Sequence, residues 1–324
     1  MFHPRRVLAA TDFSEPSRVA LTMAARLAIH CHAELHVLHV EDPLLCAAAR
    51  ADHFDLSRQA REELDAFVTS AGVPSWLVTH QHLAIGPATE GICNLACREH
   101  ADVVVVSSTG VSGFEHVVFG STAEGVLRRC EIPVLVVPHT WLPPSATAID
   151  LSGIGPVIVG VDFTVGSFQA VGAGVQLARL LDTSLELLHV VPARPVIGRW
   201  RTQAVRVEAA EGDRARQELD HLASALGADV MVTTRVETGS VAEAFAAAAR
   251  HEPSHTMLVL GRRLPLHPGD APGSIASRVV SLARVPTLMF MERDQPVRTV
   301  EGVRPVINDV VTVEPASASG YEAP

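Results

Sequence analysis

Arg6-Val-Leu-Ala-Ala-Thr-Asp12-Phe-Ser and Pro156-Val-Ile-Val-Gly-Val-Asp162-Phe-Thr stand 150 positions apart and read as one pattern. Each is a short apolar run that stops at an aspartate, an aromatic ring and a hydroxyl. Working outward, Leu35-His-Val-Leu-His39-Val matches Leu185-Glu-Leu-Leu-His189-Val at the same offset. Ala60-Arg-Glu-Glu-Leu64 answers Ala215-Arg-Gln-Glu-Leu219. Gly120-Ser121 with Ile132-Pro133-Val answers Gly273-Ser274 with Val285-Pro286-Thr, the offset now 153. Matches in one order at a nearly constant spacing define a duplicated domain.

Within each copy, short β-branched runs alternate with longer helical patterns. Strands are expected at about 6–11, 35–40, 76–83, 102–107 and 133–137, and again at about 157–162, 185–191, 229–236, 256–261 and 287–291. Asp102-Val-Val-Val-Val-Ser is continuous rather than alternating, as in a strand buried on both faces. Val19, Ala20, Met23, Ala24, Leu27 and Ala28 share one helical face, with Ser14 as the N-cap. Regular βαβ alternation implies an α/β fold: two tandem, doubly wound, parallel five-stranded sheets of Rossmann-like type with right-handed crossovers. The expected units are residues 1–142, a polar, turn-rich linker at 143–155, a second domain at 156–293 and a tail at 294–324. In the tail, Val310-Val-Thr-Val313 reads as one extended segment and Ala316 to Pro324 as disordered.

The 324 residues are 48% hydrophobic and 19% charged, enough for two ordinary cores. No apolar stretch reaches about 18 uninterrupted residues, so no membrane span is expected. The stretch MFHPRRVLAATDFS carries no signal-peptide pattern, which points to a cytoplasmic protein. A net charge of −10 argues against a nucleic-acid partner, which needs clustered cations. All 26 basic residues are arginine. Without lysine there is no Walker-type P-loop, kinase lysine or Schiff base. Five cysteines, odd in number, fit reduced thiols; Cys93 and Cys97, one helical turn apart, make a poor disulfide and are expected to pack as small apolar groups.

An open parallel sheet binds ligands at the carboxyl ends of its strands, near the switch in strand order. In the first copy those ends carry Thr11-Asp12, His39-Val40 and Ser107 to Gly110. From there the chain runs to Gly120-Ser121-Thr122, where a helix starts. Such a loop suits an anion, because uncapped amides and the positive helix end face it. Asp12 is placed to accept from a ribose hydroxyl or an adenine edge. Taken alone, the glycines fit a plain turn equally well, and Asp12 fits a helix cap.

Ala-Thr-Asp12-Phe-Ser-Glu, the strand ending Leu38-His39-Val40, and Gly120-Ser-Thr-Ala-Glu followed by Ile-Pro133-Val-Leu-Val-Val137 together resemble the universal stress protein family, across nearly all of both copies. The resemblance implies an adenine nucleotide alpha hydrolase-like fold. In the ATP-binding members the phosphate loop reads Gly, two residues, Gly, nine residues, Gly and Ser or Thr. Gly110, nine residues, Gly120 and Ser121 fit it, while Ser107 stands at the first glycine. The implied adenine and ribose contacts are Ala10, Asp12, Val40 and Val106; Ser107 also belongs to the site. The implied phosphate contacts are Gly110, Gly120, Ser121 and Thr122. The implied ligand is ATP, with ADP or AMP as alternatives, and Mg²⁺ carried by the nucleotide. Family members usually dimerise through their last strands, so Pro133–Val137 and Pro286–Phe290 are expected to pair within the chain as an internal pseudo-dimer, with further homodimerisation open.

In the second copy Asp162, Gly261, Gly273 and Ser274 persist as a degenerate site. Leu264 replaces the second glycine, the spacing is one residue short, and three prolines remove amide donors, although Arg262 and Arg263 offer charge. Sixteen histidines invite a metal proposal; the best clusters are His30-Cys31-His32 with His36 and His39, and His80 with His82. Neither has the ligand spacing of a closed zinc site, and no resident metal is expected. No Gly-x-Ser-x-Gly, His-Glu-x-x-His, His-x-Gly-His or Ser-Gly-Gly signature occurs, and no general base stands out. The expectation is a nucleotide-binding stress or signalling module with an unidentified protein partner. Slow ATP hydrolysis is the most it would catalyse; the alternative is a nucleotide-independent scaffold.

Overall fold

A computed structural model describes residues 2–51, 56–110, 120–142, 149–193, 201–227, 229–250, 256–262 and 274–291. The first repeat runs β1 (Arg6–Thr11), α1 (Glu15–Cys31), β2 (Glu34–Glu41), α2 (Pro43–Ala51), α3 (Leu56–Ser70), β3 (Thr79–Ile85), α4 (Ala88–Arg98), β4 (Val103–Ser107), α5 (Ser121–Arg129) and β5 (Val134–Val137). The second runs β6 (Val157–Gly160), α6 (Val165–Leu180), β7 (Leu185–Pro192), α7 (Arg201–Ala225), β8 (Val232–Gly239), α8 (Val241–Arg250), β9 (Met257–Arg262), α9 (Ser274–Ala283) and β10 (Thr287–Met291).

The two expected five-stranded sheets are one ten-stranded sheet, ordered β3-β2-β1-β4-β5-β10-β9-β6-β7-β8. Every pairing is parallel except the seam, where β5 meets β10 antiparallel with Thr287 opposite Val136, Leu288 opposite Leu135 and Met289 opposite Val134. This is the pseudo-dimer pairing expected of the last strands. In each repeat the strand order reverses between the first and fourth strands, which opens a crevice at their carboxyl ends.

Helices cover both faces, so strands such as β4, with Val103 to Val106 all buried, are apolar throughout. On one face α1, α3, α6 and α7 pack through residues such as Leu21, Leu27, Leu64, Leu177 and Leu219. On the other, α4, α5, α8 and α9 pack through Ile92, Val126, Phe245 and Val279. Each layer draws on both repeats, so the core is continuous across the seam. α1 starts where expected: Ser14 Oγ accepts from the Ser17 amide at 3.3 Å, and Thr164 does the same for α6.

Two expectations are corrected. β3 and β8 start three residues later than predicted, because the apolar residues that drew the strands back (Trp76, Val78 and Met231) are exposed on the approach to an edge strand. The segment read as a linker also enters the core: Leu151 is fully buried and Ile154 nearly so. Arg26 Nη1 donates to the Asp150 carbonyl at 3.1 Å, which ties this segment to α1. The tail read as one extended segment and a disordered end lies outside the described residues. No helix among the described residues is long and apolar enough to cross a membrane.

Candidate functional site

The carboxyl end of β1 is held in a compact turn. Asp12 Oδ1 accepts from the Ser14 amide at 3.1 Å and from Ser14 Oγ at 2.5 Å. Phe13 adopts φ 62°, a region a bulky side chain rarely enters. Its amide donates to Thr11 Oγ1 at 3.0 Å, and its ring stacks on His39 at 4.2 Å between centroids. His39 Nδ1 lies 2.9 Å from the Thr11 carbonyl oxygen, which ties the end of β2 to that of β1. His39 is thereby used in packing the turn.

The other carboxylate oxygen of Asp12 faces Gly110. A Cβ at Gly110 would stand 2.8 Å from Asp12 Oδ2, so glycine there permits a close approach. The Gly120 amide donates to the Ser108 carbonyl at 2.8 Å and returns the chain to the sheet at the start of α5. Gly120 is the N-cap of α5 and brings no side chain of its own to the first amides of that helix. Ser107 Oγ donates to the Thr109 carbonyl at 2.6 Å, so this hydroxyl is engaged within its own loop.

These pieces enclose a cavity of about 310 Å³. Ala10, Asp12, Val40, Val106, Ser107, Gly110, Gly120, Ser121 and Thr122 all line it. Sequence reasoning missed Ser17, Leu38, Thr109 and Ile92, which also do. Ile92 is placed by α4, whose Gly91 passes close to Val40: a Cβ at Gly91 would lie 2.9 Å from that side chain. The apolar floor and hydroxyl-rich rim suit a flat apolar ring joined to a polar group. The loop 111–119 lies outside the described residues.

The second repeat repeats the turn. Asp162 Oδ1 accepts from the Thr164 amide (3.0 Å) and hydroxyl (2.5 Å), Phe163 has φ 60°, and His189 Nδ1 lies 2.7 Å from the Val161 carbonyl oxygen. Its cavity, about 360 Å³, has a more apolar lining that includes Leu188, Phe245, Leu260 and Ile275 beside Asp162 and Gly261. Gly261 occupies the position of Ser107 and is packed against α6, where a Cβ would stand 2.8 Å from the Gly166 carbonyl. Ser274 opens α9. Gly273, Arg263 and Leu264 lie outside the described residues, as does the side chain of Arg262.

The histidine clusters are sorted by packing. His30 Nε2 lies 2.6 Å from the Leu180 carbonyl oxygen, and burial pushes the Cys31 thiol up to about 12. His32 ends α1 at φ 53°. Cys93 is half-buried as expected, but Cys97 is exposed rather than packed. His36 of β2, by contrast, meets both His80 and His82 of β3. Burial, and then its two imidazole neighbours, hold His36 below the usual histidine range.

An open parallel sheet with paired crevices at its strand ends, duplicated across one antiparallel seam, defines a Rossmann-like tandem protein with a strand-end cavity in each repeat. The sequence profile described as "Universal stress protein family" matches residues 3–138 and again 153–290. The chain therefore belongs to the universal stress protein family. It is 28% identical over 138 residues to universal stress protein MJ0531 of Methanocaldococcus jannaschii, an alignment covering 41% of this chain and 81% of that protein. It is 26% identical over 144 residues to universal stress protein YxiE of Bacillus subtilis, covering 41% and 97%. Among solved structures, a universal stress protein from Archaeoglobus fulgidus covers 89% of this chain and 97% of its own length, at 18% identity and TM-score 0.57. The functionally unknown protein PA1789 from Pseudomonas aeruginosa covers 89% and 92%, at 15% identity and TM-score 0.57. At these identities the likeness concerns the fold.

Proposed function

We infer that the first repeat binds an adenine nucleotide, ATP carried with Mg²⁺, and that the protein works as a binding module whose occupancy biases a contact with a protein partner. One observation carries this reading: nine residues from three strand ends and the start of α5 converge on one cavity. Asp12 stands at its rim, and the first turn of α5, opened by a glycine N-cap, forms its far wall. The apolar floor of Ala10, Val40 and Val106 takes the base. Asp12 accepts from ribose, and the α5 terminus with Ser121 and Thr122 faces the phosphates. A cavity of this size lies at the lower end of the usual range for small ligands, roughly 300–1,000 Å³. Among the described residues that line it, no side chain stands out as a general base, and the reading is of binding rather than turnover, with slow ATP hydrolysis as the upper limit.

Calorimetric titration of ATP with Mg²⁺ into the full chain, beside Gly120→Asp, tests the proposal. A Cβ at Gly120 already meets the Ser108 carbonyl at 3.4 Å, and an added carboxylate would compete for the α5 amides. One micromolar site, lost in a variant that melts as the wild type does, is the expected result. No heat from a folded wild type overturns it and leaves the paired domains as a nucleotide-independent scaffold.

A further inference from the structure

At the opposite end of the strands from the nucleotide cavity, β2 and the edge strand β3 bring Glu34, His36 and His80 together. One ligand-type atom from each lies within 4.8 Å of the others. The pieces come from ladder positions: His36 is paired with His80, and Leu38 with His82. His36 is 5% exposed, yet its Nε2 has no hydrogen-bond partner among the described residues. Glu34 Oε2, at 3.8 Å, is too distant to serve. A buried polar nitrogen without a partner is costly and calls for a reason.

Its other nitrogen supplies one. His36 Nδ1 is 3.0 Å from His82 Nε2, with the rings nearly parallel. When Nδ1 donates to His82, the Nε2 lone pair points bare toward Glu34 and His80. That is how a histidine ligand is oriented by a group behind it. The second repeat has Glu186 at the position of His36 and Arg235 at that of His82, and they close an ion pair at 2.6 Å. There the same diagonal satisfies itself; in the first repeat it leaves an acceptor facing a carboxylate and an exposed imidazole.

We propose that Glu34, His36 and His80 bind a divalent first-row cation, Zn²⁺ in type, with His82 as the positioning residue for His36 and the fourth position open to water. Two imidazoles and a carboxylate match the chemistry of open zinc sites. Tetrahedral bonds to zinc put ligand atoms about 3.3 Å apart, so the cluster must contract by roughly 1.5 Å at most. Glu34 is half-exposed and His80 exposed, so both can swing without disturbing the core. Glu34 would give up Arg6, 3.6 Å away at the surface. Arg98 and Glu99, bonded to each other at 3.0 Å beside the cluster, add no net charge. A bound ion would clasp the edge strand β3 to β2.

Full-length protein stripped with EDTA and kept nucleotide-free is titrated with Zn²⁺ in a Cys97→Ala background, which removes the exposed thiol as a competitor. The expected result is one equivalent bound and a raised melting temperature. His80→Ala, at an exposed position that spares the core, loses both; Glu34→Gln weakens binding; and His82→Ala weakens it about tenfold or more. Wild-type and His80→Ala proteins binding the same number of ions with equal affinity overturn the proposal. So does a folded wild type that takes up no zinc.

Discussion

At the carboxyl ends of β1 and β6 the chain makes the same turn, and beyond it the two repeats part. Asp12 and Asp162 both accept from the hydroxyl and amide two residues on, and Phe13 and Phe163 both take a positive φ against a histidine. A left-handed phenylalanine costs about 1–3 kcal/mol, and in both copies it is accompanied by a ring contact with a histidine and by the aspartate's bonds across the turn. The lining differs: where Ile92 borders the first cavity, Phe245 borders the second, and Gly261 and Ile275 stand where the first has Ser107 and Thr122. The sheet edge differs too, an ion pair in one repeat standing where imidazoles meet in the other. Backbone geometry outlasts the chemistry it carries.

The comparison breaks first if the repeats are separable bodies. Leu288 is buried at the seam opposite Leu135. Leu288→Ala is expected to cost about 2–5 kcal/mol and to lower one shared unfolding transition, read by thermal melts with two probes. Two transitions, of which only the second repeat's shifts, would divide the core. Next in size, Asp12→Asn is expected to weaken ATP binding tenfold or more while Asp162→Asn leaves it unchanged, since hydrogen bonds to a charged group contribute about 1.5–3 kcal/mol. Equal losses from both would assign nucleotide to both cavities.

A reciprocal swap sharpens the third difference. Gly261→Ser forces a side chain against the Gly166 backbone and is expected to destabilise by about 1–3 kcal/mol. Ser107→Gly removes only the bond to the Thr109 carbonyl, about 1 kcal/mol. Urea midpoints of the pair give the order, and a reversed order would contradict the packing described. The smallest effect concerns Asp150, held below the usual carboxylate range chiefly by the Ser152 amide. A depressed carboxyl adds stability above its unfolded value, near pH 4, and loses it as pH falls further. Asp150→Asn should therefore trail the wild type in urea midpoint at pH 7 and draw closer at pH 3; a constant gap would remove the charge from the account.

Most of the fold was legible because duplication repeats the signal. The aspartate-ended strands, the four valines of β4 and the Ser14 cap are local patterns, and local patterns survive in one dimension. The seam followed from the resemblance, and the nine cavity residues sit at strand ends and a helix start that hydropathy already marks. What escaped was of two kinds. Exposed apolar residues such as Trp76 and Met231 imitate strand, and lone anchors such as Leu151 hide in polar surroundings. The pairing of His36 with His82 joins positions 46 apart through a strand register that no spacing rule encodes.

The antiparallel seam has one more effect. Were β5 and β10 on separate chains, their pairing would depend on concentration, and any substitution would appear on both sides of the axis. On one chain the partner is always present, so dilution does not part the halves. Each half is also free to change alone: one cavity can keep a hydroxyl-bearing lining while the other turns more apolar, and one outer edge can collect imidazoles while the other closes with an ion pair. Fusion thus makes asymmetry heritable.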